Sequence, residues 1–321
     1  MSASAKIPAK FFHAIPFHRQ GITGKNVTVA VLDSGLAPHP DIHPSRILAF
    51  KDFTREGAPS VPYYDDFSHG THVTGIIASE KIGIAPECSI VALKVLDRRG
   101  NGSSDFFINA LKWLLKHQKT YNIQIVNISA GGSSTQLKNS SLNLWVSALW
   151  NQGMTVCCSA GNNGPSPNSI TAPGNCKKVI TVGSSDGANY SSAGPLLPSG
   201  RKTAWGMNKY STLYTPDDYI TKPELAAPGT HILSLKPGSG YHIKSGTSMS
   251  VPFISGACAL LCQVNPLLTN DQTKIRLMNA AAPVPHLPVN VQGAGVVSLE
   301  RLLHTPYAPK DSALPAVQYF P

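Results

Sequence analysis

The sequence predicts a three-layer α/β fold built on a mainly parallel sheet. Two observations carry that expectation. Short apolar runs at residues 27–32, 90–96, 123–128, 154–159 and 179–182 have the length and composition of buried strands. The segments between them carry apolar residues at helical spacing, and buried strands that alternate with helices give a parallel sheet covered on both faces. The 321 residues fit one domain of this kind, and a 42% hydrophobic content suffices for a large core. Charged residues make up 14%, well below the roughly 25% of ordinary soluble proteins, so Ser, Thr, Asn and Gly must cover much of the surface.

Taken in order, residues 1–23 carry Pro8 and Pro16 and read as a surface arm leading to the first strand. The run 27–32 delivers a carboxylate, Asp33, at its C-terminal end. His69 opens the string HGTHVTGIIAS, which reads as a helix, and Asp65 and Asp66 favour that helix N-terminus by charge. His72, three residues on, reads as a packed or capping residue. After the strand at 90–96, Gly100 and Gly102 mark a turn. Ser103 or Ser104 then caps a helix whose Phe106, Phe107, Ala110, Leu111, Leu114 and Leu115 recur at helical spacing. The strand 123–128 ends in Ser129-Ala130-Gly131-Gly132, where glycine permits close approach of another backbone. Residues 139–150 read as a helix, and 154–159 as a strand entering a turn that contains Asn162 and Asn163. Beyond 179–182, the long link to Lys222 reads as a self-packed surface loop.

Ser248 lies between a glycine turn and the apolar run 251–264, which reads as a buried helix. A hydroxyl there meets unpaired N–H groups and the positive end of a helix dipole, both of which favour an oxyanion. Serine is a weak nucleophile that needs a base and a group to hold that base, and His69 and Asp33 have the right chemistry. A helix at 269–280 and a closing turn at 293–297 follow. Residues 304–321, with four prolines, read as a loose tail.

With VAVLDSG, HGTHVTG, SAGNNGP and GTSMSVP in that order, the chain resembles the subtilisin-like serine peptidases over residues 24–303. The resemblance implies a subtilisin-like catalytic domain over that span and endopeptide hydrolysis through an acyl-enzyme. Ser248 would be nucleophile, His69 base and Asp33 its orienting partner. It implies an oxyanion hole from the Asn162 amide and the Ser248 N–H. It also implies a peptide held as an added strand between two edges, Gly100, Asn101 and Gly102 on one side and Ser129, Ala130 and Gly131 on the other. Thr171 would line the primary specificity pocket, which Asn163 would border. The rival reading is a catalytically impaired peptide-binding module, and the intact triad argues against it.

In this family the aspartate of the His39-Pro40-Asp41 turn often ligates calcium. Here residues 79–86 pass directly onward and leave too few oxygens for the six to eight ligands calcium takes, so Asp41 reads as a turn or capping residue. No metal is expected there and no cofactor is needed for the chemistry, while a structural calcium elsewhere stays open. The net charge of +10 is spread along the chain, which argues against a nucleic-acid partner. The expected partners are protein or peptide substrates. No apolar run is expected to cross a membrane. The six cysteines, Cys88, Cys157, Cys158, Cys176, Cys258 and Cys262, form no CxxC pair and read as free thiols filling the core. Together with the missing export signal, they point to a cytoplasmic enzyme like the bacterial intracellular members.

Overall fold

A computed structural model describes residues 5–54, 61–130, 141–162, 170–185, 222–285, 287 and 289–304. Two single-turn helices, α1 (Pro8–Phe11) and α2 (Ile15–His18), lead to strands β1 (Thr28–Asp33) and β2 (Ile47–Asp52) and helix α3 (His69–Ala78). There follow β3 (Ser89–Lys94), α4 (Ser104–Tyr121), β4 (Ile123–Ile128), α5 (Ser141–Asn151), β5 (Thr155–Ser159) and β6 (Ile180–Ser185). The last third contains β7 (Leu225–Pro228), β8 (Ile232–Leu235), β9 (Tyr241–Lys244), α6 (Thr247–Val264), α7 (Asn270–Ala280), β10 (Ala281–Ala282), α8 (Val289–Gln292), β11 (Val296–Val297) and α9 (Leu299–His304).

Among the described residues nine strands form one sheet in the order β10-β11-β7-β6-β5-β4-β1-β3-β2. Its pairs are parallel except β10 with β11. Helices α3 and α6 pack together on one face, and α4 packs with α5 against β4 and β5 on the other, which gives three layers. From β1 the chain runs first to the edge strand β2, returns to β3 between the two, and then crosses β1 to wind outward through β4, β5 and β6 on the other side. The order therefore reverses at β1. Crevices at such a reversal, outside the carboxyl ends of the strands, are where open α/β sheets bind ligands. Asp33 ends β1 there, beside Ile128 at the end of β4.

The predicted interior strands are present with ends shifted by at most three residues, and Ser103 is the α4 cap, accepting from Phe106 N at 3.2 Å. Residues 139 and 140 of the helix predicted over 139–150, residues 186–221 of the link and residues 305–321 of the tail lie outside the described residues, while Trp150 lies within α5. Two expectations need correction. The arm is not a surface feature: Ala9, Phe12, Ala14 and Phe17 are buried in the core, and Phe12 meets Phe253 of α6 edge to face at 5.3 Å. Pro8 and Pro16 sit at the starts of α1 and α2, where the missing N–H costs nothing. Helix α6 also begins earlier than expected, and its 18 residues are long and apolar enough to cross a membrane. It packs instead against α3 and strands β4 to β7 as the central helix of the core.

Candidate active site

Three elements converge at the carboxyl end of β1. Asp33 is 1% exposed, and its Oδ1 accepts from Ser34 N and from His69 Nδ1, each at 2.7 Å. Its Oδ2 is buried without a partner. His69 is the first residue of α3. The approach of α3 to β1 depends on Gly70, where an added Cβ would lie 2.2 Å from Gly35 O and 3.1 Å from Asp33 Cβ. Asp65 holds this helix start: Oδ2 accepts from Thr71 N (2.8 Å) and Thr71 Oγ1 (2.7 Å), and Oδ1 from Ser34 Oγ and Ser68 N (both 2.8 Å). Asp66 turns away to the buried Lys94 ammonium at 2.6 Å. The electrostatic role foreseen for the two acids is thus a side-chain cap by Asp65.

Burial lowers the His69 pKa, but the charge and hydrogen bond of Asp33 outweigh it, and the net shift is upward. His72, in contrast, is buried, with Nε2 near the carbonyls of Ile232 (3.1 Å) and His242 (3.2 Å). Burial, followed by the repulsion of nearby His242 and Lys244, pushes its pKa down to about 3. It is neutral and packed, as the sequence reading has it.

Ser248 is the second residue of α6, whose N-cap Gly246 has φ 144°, a conformation that favours glycine. The Ser248 hydroxyl donates to Ser129 O at 2.8 Å, so the end of β4 and the start of α6 meet at this hydroxyl. His69 receives no hydrogen bond from it in this arrangement. Asn162 Oδ1 accepts from Thr247 N and Thr247 Oγ1, both at 3.2 Å, and among the described residues the amide NH₂ beside Gly246 has no acceptor.

Of the other predicted site residues, Gly100 (φ 77°) lies under the Phe67 ring, with Asn101 and Gly102 exposed beyond it. Ser129 is buried and Ala130 half-buried, at the end of β4. Thr171 is buried, its carbonyl accepting from Asn175 N at 3.1 Å. Gly131 and Asn163 lie outside the described residues.

Asp41, the residue for which calcium was considered, has both oxygens engaged. Oδ1 pairs with the Lys81 ammonium at 2.9 Å, and Oδ2 accepts from Ser79 Oγ (3.2 Å) and the Tyr241 hydroxyl. Burial raises its pKa, but the hydrogen bonds from Tyr241 and Lys81 carry the net shift below the ordinary carboxylate value. Those donors do not fit a calcium ion, which needs six to eight oxygen ligands.

Sequence reasoning missed Ser34 and Lys244, and it gave Asp65 a role by charge where the structure gives it hydrogen bonds to Ser34, Ser68 and Thr71. Lys244 carried no local signal, since its place is set by the hairpin of β8 and β9.

A profile of the subtilase family matches residues 24–295. Serine protease AprX of Bacillus subtilis (strain 168) is 34% identical over 308 residues, covering 88% of this chain and 67% of the relative. Subtilisin E of the same organism is 35% identical over 283 residues, covering 82% and 62%. Among solved structures, a cold adapted subtilisin-like serine proteinase superposes with a TM-score of 0.66 at 27% identity, covering 86% of this chain and 88% of that one.

Proposed function

The chain belongs to the subtilase family, and from that premise we propose that it is a serine endopeptidase acting on proteins or peptides through an acyl-enzyme. The observation that carries the reading is the Asp33–His69 bond at the end of β1, with Ser248, at the start of a buried helix, hydrogen-bonded to Ser129 at the end of the neighbouring strand β4. For reaction, the Ser248 hydroxyl turns from Ser129 O toward His69 Nε2, which takes its proton as Oγ attacks the scissile carbonyl. The carbonyl oxygen becomes an oxyanion, accepting from the Ser248 N–H and the NH₂ of Asn162. His69 then protonates the leaving amine, an acyl-Ser248 ester remains, and water activated by the same imidazole releases the acid. Asp33 keeps the imidazole oriented and stabilises its charged form.

The exposed Asn101 and Gly102, together with Ala130 just past the end of β4, support binding of the substrate as an added strand. No cofactor enters these steps, and the Lys81 ammonium supplies the cation that Asp41 pairs with. The six cysteines are free and five of them are buried, and burial pushes the Cys88 thiol up to about 12 and Cys262 to about 11. Such unreactive thiols support a reducing compartment. Treatment with a fluorophosphonate probe and mapping of the label tests the reading. Ser248 should carry the only label, and Ser248→Ala should abolish hydrolysis without unfolding the chain. Labelling elsewhere, or full activity in the alanine variant, would overturn the assignment.

A further inference from the structure

We propose that Lys244 is a positioning residue for the catalytic base: it fixes the residue before His69 and sets a positive charge beside the imidazole, favouring the neutral form that accepts a proton. The inference rests on the peptidase reading of Asp33, His69 and Ser248. Lys244 ends β9, four residues before Ser248, and is half-buried. Its Nζ donates to Ser68 Oγ at 3.0 Å and stands 5.9 Å from the centre of the Phe67 ring. Among the described residues its hydrogen-bond partner is a hydroxyl and not a carboxylate.

Ser68 is an unusual residue to hold. It occupies the N-cap position of α3 with φ 72° and ψ −3°, a left-handed conformation that costs a non-glycine residue energy, and its side chain caps nothing. Asp65 caps the helix instead, so the Ser68 hydroxyl is available to Lys244. One contact from the strand that leads to the nucleophile thereby fixes the residue that precedes the base.

The charges facing His69 come from four elements. Asp33 on β1 is bonded to it and favours the imidazolium. Asp65, before α3, acts in the same direction but its oxygens already accept five hydrogen bonds. His72, within α3, is neutral. On β9, His242 has its pKa lowered by burial and by Lys244, and Lys244 itself is the cation that opposes Asp33. Burial also lowers the Lys244 pKa, with Asp65 and Asp33 pulling the other way. An ordinary lysine titrates about four units above an ordinary histidine, and the carboxylates of Asp65 and Asp33 favour the Lys244 ammonium against its burial. A base that Asp33 alone governed would stay protonated further into the working range and could not take the Ser248 proton.

The test is the acid limb of kcat/KM on an uncharged peptide substrate, for the parent and for Lys244→Arg, Lys244→Gln and Lys244→Met. Glutamine can still donate to Ser68 but carries no charge, so it separates electrostatics from the hydrogen bond. Gln and Met should move the limb to higher pH, with a several-fold loss of relative rate on the acid side, and Arg should hold it in place. The displacement should shrink in high salt. A purely structural role would lower the rate equally at all pH values. Fluorophosphonate labelling and melting verify folding of each variant. A parallel NMR titration of the His69 ring in the Ser248→Ala background needs no turnover, so it distinguishes failure of this inference from failure of the peptidase reading. A limb and a ring titration that stay put in both Gln and Met would overturn the proposal.

Discussion

What separates an oxyanion donor from an ordinary turn asparagine is which half of the amide is already spent. At Asn162 the carbonyl half accepts from Thr247 N and Thr247 Oγ1, so the NH₂ half is the one left to act. Its bond to substrate should strengthen as the carbonyl becomes tetrahedral, which places its contribution in the transition state and not in binding. Asn162→Ala should lower kcat by about 10²- to 10³-fold, the magnitude known for loss of one such donor in this family, with KM nearly unchanged. Steady-state kinetics on a short peptide would show this, and a rise in KM at constant kcat would assign the residue to substrate binding instead. Asp33, His69, Ser248 and Asn162 stood out in the sequence because each sits in a local frame, a strand end, a helix start or a glycine turn. Lys244 did not, and Asp65 did only as a charge near the helix start, because Ser34, Thr71 and Ser68 become their partners only after the chain has folded.

At the scale of elements, α3 depends on the hairpin of β8 and β9. Ser234 Oγ donates to His72 O at 2.7 Å, and His72 Nε2 reaches the carbonyls of Ile232 and His242 in the two strands. A protonated His72 would meet His242 and Lys244 in a buried setting, which is why its pKa lies near 3 against 6.5 for a free histidine. Above about pH 6.5 the side chain is neutral in both folded and unfolded chains and contributes no pH dependence. As pH falls below that value the unfolded chain binds a proton that the folded chain refuses, so stability declines, to a limit on the order of 4–5 kcal/mol near pH 3. His69 works in the opposite sense: its raised pKa adds stability below the unfolded value, and this is lost as pH rises through the folded one. The two effects are separated by substitution. His72→Gln, whose amide can still donate to the carbonyls, should flatten the fall in melting temperature between pH 6.5 and 4 relative to the parent. An unchanged slope would mean that the hairpin accommodates the charged ring.

For the whole molecule, the interior strands were legible because full burial writes a continuous apolar run, as in Val29 to Leu32. The periphery was not. Strand β2 mixes exposed and half-buried residues, β7 is the four residues LAAP, and β8 and β9 form a separate small sheet whose partner is α3. The N-terminal arm was misread for a related reason: two prolines in short, broken helices show no helical face, although their apolar residues enter the same core as α6. The arm is stitched in at several places, among them the following three. Lys6 pairs with Ile232 through bonds of 2.9 Å to His231 O and 3.0 Å from Leu233 N, Ala9 N donates to Ile82 O at 2.9 Å, and Phe12 packs on Phe253. Phe12 is 5% exposed and Phe253 fully buried, so Phe12→Ala would leave a cavity against the helix that carries Ser248. Such a truncation should cost about 3–5 kcal/mol, a large share of the 5–15 kcal/mol typical of a whole domain. Urea unfolding followed by fluorescence should show the loss as a lower midpoint. Because Phe12 touches the core side of α6 and none of the reacting groups, turnover per fluorophosphonate-labelled molecule should stay at the parent level. A loss below about 1 kcal/mol would place the arm outside the cooperative core, since a surface substitution costs about that or less. A fall in turnover per labelled molecule would show instead that the arm acts on the site through α6.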